Sequence, residues 1–179
     1  MGLGGWTLAL GLVALLVPAP VAARAAAPSV PSGQGLPCTA EWVVRLDQPI
    51  SMTGSFGQFT SGGETGVISC QGSLGGQPVT GPGTYGESGA FGPGRVGGAD
   101  CTNGGGAGDY TATIPTAAGP RHVTGMASFY WAGPAGVVFD GRFPSLFRLS
   151  AGGGGDCFSQ PARELHFQAA GLLFADGGA

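Results

Sequence analysis

Apolar and polar residues alternate with period two through most of the chain beyond residue 41. Trp42, Val44 and Leu46 alternate with Val43, Arg45 and Asp47, the signature of a half-buried strand. Met52 to Phe59 reads as a weaker second strand. In Val67 to Gly72, Ile68 and Cys70 share a face with Leu74. Gly75-Gly76 then fits a tight hairpin turn, and the return strand begins at Gln77 to Thr80. Pro82 confines its continuation, Gly83 to Gly89, to an edge or a bulge.

Residues 92–108 are glycine-rich and read as the longest loop, with Val96 and Cys101 as its only anchors. Tyr110, Ala112 and Ile114 alternate with Thr111 and Thr113. His122 to Trp131 follows after the turn Ala118-Gly119-Pro120. Val137 to Phe139 leads through Asp140-Gly141 into Phe147 to Leu149. Finally Leu165, Phe167 and Ala169 alternate with Glu164, His166 and Gln168, continuing to Phe174. The pattern predicts an all-β fold of about eight short antiparallel strands in a meander. A small closed β-barrel is favoured over a β-sandwich, because hairpin-length connections suit an up-and-down ring without exposed edges.

The opening of the chain follows a different rule. Trp6 to Leu16 is almost wholly apolar, Pro18 and Pro20 interrupt the run, and small residues surround Arg24. This is the layout of a secretory signal peptide, with fitting cleavage points after Ala23, Ala25 or Ala27. The run is too short for a transmembrane anchor, which needs about 20 apolar residues. The expected organisation is a signal peptide over 1–27, a flexible lead over 28–37 and one all-β domain over 38–179. No membrane span remains after cleavage. The destination is secreted, extracellular or cell-wall associated.

Composition narrows the partners. The chain has no lysine, and without Arg24 six arginines face ten carboxylates, a net charge of −4. Nucleic acid is therefore not expected as a partner, because no basic patch can hold phosphates. Thirty-eight glycines suggest a GC-rich coding bias as much as a functional need, and ten phenylalanines argue against disorder. The runs Gly104-Gly105-Gly106 and Gly152 to Gly155 read as flexible loops, since neither opens a helix nor ends in the Lys-Ser/Thr of a phosphate loop.

Cys38, Cys70, Cys101 and Cys157 are even in number and lack the close pairing of a zinc site. In a secreted domain they form two disulfides. An eight-strand meander makes Cys38–Cys101 with Cys70–Cys157 the easiest pairing of the three possible. Three stretches, CQGSLGGQPVTGPGTYGESG (70–89), GDYTATIPTAAGPRHVTGMASFYW (108–131) and GDCFSQPARELHFQAAGLL (155–173), resemble small secreted, four-cysteine, Gly-rich proteins of high-GC actinobacteria. The resemblance implies secretion and an all-β fold. It carries over no catalytic residue.

Candidate chemistry is sparse. Glu164 and His166 lie two apart on one strand, and with His122 they contain the elements of a metal site or an acid–base pair. Leu165 and Phe167 claim the core face, so Glu164 and His166 read as ordinary exposed polar residues. There is no G-x-S-x-G or H-E-x-x-H motif. No metal and no cofactor is expected. The strongest candidate is aromatic: Phe129 and Trp131 occupy one side of a strand, Met126 and Tyr130 the other, and Phe139 follows. A sheet wet on one face is apolar on one face only, so this set points to a ligand or partner surface.

These readings favour a secreted, non-enzymatic β-barrel that binds a small apolar ligand in its interior or at its open end. An extracellular or cell-wall interaction protein without a pocket is the alternative. A secreted hydrolase or isomerase is the third reading.

Overall fold

The computed structural model of the protein describes residues 35–92, 98–139 and 142–174. The signal segment 1–27, residues 28–34 of the lead, Val96 and the Asp140-Gly141 turn lie outside the described residues. Eleven strands form, and no helix is present among the described residues. They are β1 (Leu36–Ile50), β2 (Gly57–Thr60), β3 (Gly66–Cys70), β4 (Ser73–Leu74), β5 (Gln77–Pro78), β6 (Gly83–Phe91), β7 (Asn103–Thr116), β8 (Gly119–Ala132), β9 (Ala135–Val138), β10 (Ser145–Gly152) and β11 (Ala162–Leu173).

Nine of them make one antiparallel sheet, and β11 pairs back onto β1 to close it into a ring. β2 and β3 share a single place between β1 and β6, like one strand interrupted at residues 61–65. The remaining pair, β4 and β5, is a small hairpin turning on Gly75 and Gly76. Both have positive φ, as a type I′ turn requires. β1 already begins at Leu36, which is fully buried, so two residues read as lead belong to the barrel.

Up-and-down order sorts the connections. The segments after β1, β6, β8 and β10 gather at one end, which we call the mouth. The segments after β3, β7 and β9 gather at the other, together with Gly35 and Phe174.

This order overturns the expected disulfide pairing. Cys38 is bonded to Cys70, and Cys101 to Cys157. Cys38 and Cys70 are direct register partners on β1 and β3, with Cα atoms 4.1 Å apart. The sequence pattern counts 52–59 and 67–72 as two strands, whereas β2 and β3 fill one place. That single miscount reverses the end at which Cys101 falls. Both Cys101 and Cys157 lie at the mouth.

The interior is filled by aromatic side chains. Trp42 stacks on Phe167 at 5.0 Å and meets Tyr85 at 4.8 Å. Phe147 and Phe129 also contact Phe167, and Phe129 continues to Phe59 and Trp131. Such pairs contribute about 0.5–1.5 kcal/mol each beyond their burial.

Glycine makes room for these rings. Gly104 stands opposite Trp131, Gly106 opposite Phe129, Gly125 opposite Tyr110 and Gly136 opposite Phe147, each pair in direct cross-strand register. A Cβ on Gly104 would sit 2.0 Å from Trp131, and one on Gly136 would sit 2.1 Å from Phe147. The run Gly104 to Gly106 is therefore strand, not loop. Its glycines are the floor on which aromatic rings lie.

Gly104→Ala is expected to cost about 3 kcal/mol or more by overpacking against a ring that cannot withdraw. Gly81→Ala, where nothing lies within 4 Å, is expected to stay within about 0.5 kcal/mol of the parent. Thermal melts of the two variants followed by circular dichroism check this. Equal melting temperatures would remove the steric role of Gly104.

Candidate functional site

The five aromatic and apolar residues singled out on and after β8 are divided by the barrel wall. Phe129 and Trp131 point inward and are buried. Met126, Tyr130 and Phe139 face outward, with 67%, 38% and 55% of their surface exposed. They do not converge on one pocket. On the outer wall Tyr130, Val137, Leu146 and Ala170 lie in one cross-strand row over β8 to β11. Leu172, also exposed, lies two residues along β11 from Ala170. The row is an apolar strip on an otherwise mixed surface.

Inside the barrel the described residues leave a void of about 10 Å³ among Val44, Leu46, Phe59, Phe91, Phe129, Trp131, Leu165 and Phe167. That volume takes one water at most. A void of that size admits no ligand.

The mouth is different. An open cleft of about 400 Å³ lies there, within the usual size of ligand pockets. Ile50, Trp131, Leu149, Ala151 and Leu165 line it together with the Cys101–Cys157 disulfide, and Phe158, 69% exposed, joins them. These residues come from β1, β8, β10, β11 and the loops between, so the cleft exists only in the closed ring.

Two aspartates fix the loops that carry the cysteines. Asp100 Oδ1 accepts from the Thr102 N–H at 2.7 Å, the Thr102 hydroxyl at 2.6 Å and the Asn103 N–H at 2.8 Å. The Trp131 indole N–H donates to the Asp100 carbonyl at 3.2 Å. Asp156 accepts from the N–H groups of Gln160, Ser159 and Phe158 and from the Ser159 hydroxyl. Bonds from Gln160 and Ser159 lead in holding its carboxyl down to about 2. Cys157 takes φ 70°, a left-handed conformation uncommon outside glycine. The Asp156 turn and the disulfide impose it.

A second polar feature lies in the wall. Glu87 on β6 shares the inward face with Tyr85 and Phe91. The Trp42 indole N–H donates to Glu87 Oε1 at 2.8 Å, and the Tyr85 hydroxyl donates to Oε2 at 3.3 Å. Its backbone N–H donates to the Ser61 hydroxyl at 2.9 Å, where β2 gives way to β3. The carboxyl is enclosed, and this burial pushes it up to about 7 against the lowering effect of Trp42 and Tyr85. Burial, then the Glu87 charge, likewise raises Tyr85 well above the usual tyrosine range.

Glu164 and His166 lie on the outer wall as their spacing predicts. Glu164 pairs with Arg45 at 3.2 Å, a surface contact worth about 0–1 kcal/mol. His122 Nδ1 lies 2.9 Å from the Thr113 hydroxyl on the outer side of β7 and β8. β9 and β10 separate β8 from β11, so the two histidines are not brought together. Among the described residues no three His, Cys, Asp or Glu side chains are grouped to hold a metal.

No protein-family model matches this chain, and no curated protein or solved structure is similar to it.

Trp131 is the one sequence-selected aromatic that reaches the mouth. Sequence reasoning passed over Asp100, Asp156, Ile50, Leu149 and Phe158. A signal was present: each mouth cysteine directly follows an aspartate, in Asp100-Cys101 and Asp156-Cys157. Glu87 was also legible, as a charge on the face that alternation gives to Tyr85 and Phe91.

Glu87 gives the fold a pH dependence whose sign is fixed. Below about 4.5, the ordinary value, folded and unfolded chains both hold the proton. Between that value and about 7 only the folded chain keeps it, so stability falls as pH rises through this window, by at most about 3 kcal/mol. Urea midpoints between pH 4.5 and 8 are expected to decline in the parent and to flatten in Glu87→Gln, which still accepts from Trp42. Parallel profiles would discard the assignment.

Proposed function

We propose that this chain is a secreted, non-enzymatic binding protein that holds a small apolar ligand at the disulfide-bearing mouth of its barrel. The observation that carries the reading is the apolar cleft of about 400 Å³ standing over a filled interior. A packed barrel directs binding to its open end, where loops and strand termini leave apolar walls with a few polar groups. Two disulfides support an extracellular setting.

Nile red, a neutral apolar dye, tests the site. Its fluorescence is expected to rise and saturate at one equivalent. Ala151→Phe, which places a ring in the cleft, is expected to weaken binding at least about tenfold, or about 1.4 kcal/mol, with an unchanged melting temperature. Absence of saturable binding, or full binding to the filled variant, would overturn the reading.

The outer strip favours a second reading, in which the chain contacts an extracellular or cell-wall partner through Tyr130, Val137 and Leu146. Under this reading sedimentation velocity shows concentration-dependent association that Leu146→Glu abolishes. A monomer at every concentration would count against self-association through the strip.

A further inference from the structure

We infer that the ligand of the mouth is an alkyl chain with an anionic head, its chain in the apolar cleft and its head on the outer wall against Arg148, Ser150 and His166. The inference rests on the binding reading above and names the class of the occupant. The rim of the barrel has a notch on this side. The β8–β9 hairpin turns at Gly133-Pro134, level with Leu149 of β10, whose N–H donates to the Pro134 carbonyl at 2.8 Å. β9 stops pairing with β10 at Arg148, whereas β10 runs on to Gly152, paired with β11 alone. The mouth cleft meets the outer wall at this notch. Pro134, Leu149 and Ser150 line both the cleft and an outer groove of about 540 Å³.

The outer groove is rich in donors. Alternation turns Arg148 and Ser150 outward on β10, beside their register partners Gln168 and His166 on β11. The His166 ring lies over Gly152, where a Cβ would collide with it, so the imidazole rests against the end of β10 close to Ser150. Among the described residues Arg148 makes no ion pair and no side-chain hydrogen bond. No carboxylate lines the groove among those residues. The nearest acids are already engaged: Gln168 Nε2 donates to Glu41 Oε1 at 3.4 Å, and Glu164 pairs with Arg45.

The two compartments differ in what they can hold. Pro134, Leu149, Ala151 and Phe158, none of them fully buried, give a hydrocarbon chain its contacts on the mouth side. Asp100 and Asp156 stand on the mouth loops, where they accept N–H groups of their own turns. A negative head is therefore placed beyond the notch, where Arg148 offers a planar fork of N–H donors that matches a carboxylate. The Ser150 hydroxyl and a His166 ring N–H complete the set. A chain with a neutral head gains only the apolar contacts.

The test is isothermal titration calorimetry of the full chain with three molecules sharing one ten-carbon chain: decanoate, 1-decanol and decylamine. Decanoate is expected to bind about three- to tenfold more tightly than decanol, and decylamine no more tightly than decanol. Raising the salt should narrow the gap between decanoate and decanol. Arg148→Gln, at an exposed and unpaired position, should bring decanoate down to the affinity of decanol and leave decanol unchanged. The salt series on the parent protein stands even where the variant fails to fold. Decanoate binding no better than decanol, or decylamine binding best, overturns the anionic head and leaves the apolar cleft as a binding site. A decanoate preference that survives in folded Arg148→Gln overturns the placement of the head. Binding of none of the three overturns the mouth reading as well.

Discussion

The barrel depends on the fit of aromatic rings over glycines on the neighbouring strand. An eight-place ring has an interior only wide enough for its own side chains. Trp131, Phe129, Tyr110 and Phe147 are too large to face one another at every level. Each lies instead across Gly104, Gly106, Gly125 or Gly136. Glycine in a strand normally weakens it through backbone entropy and missing contacts. Here the ring opposite supplies the contacts, and burial of a Trp or Phe, worth about 3–5 kcal/mol when truncated to alanine, offsets that cost. The pairing also pins register, since a slip of one residue would drive a ring into a side chain.

A core packed this way has a functional consequence. It leaves a void of about 10 Å³ in the ring, so the binding proposed above is assigned to the mouth and not to the interior. At the mouth, the Asp100 and Asp156 turns and the Cys101–Cys157 bond hold long connections in one shape. In the chain-entropy model a loop of that length stabilises the fold by about 4 kcal/mol.

Alternation made the β class, the meander and the inward and outward faces of β1, β8 and β11 legible in the sequence. Gly75-Gly76 marked its hairpin. Three features escaped for physical reasons. Glycine runs look alike in loops and under aromatic rings, so β7 was legible only from Tyr110 onward. The break between β2 and β3 resembles a turn locally, and only β1 and β6 alongside show that the strand resumes in the same place. That break reversed the ends and misassigned the cysteines. The mouth itself is assembled from residues 50 to 165, a convergence that no local pattern encodes.

The ring closes by pairing Leu36 with Leu173, at the end away from the mouth. Gly35 and Phe174 both stand at the base of the barrel. A tether, a fusion partner or a wall attachment joined there would present the opening outward, like a cup held by its foot.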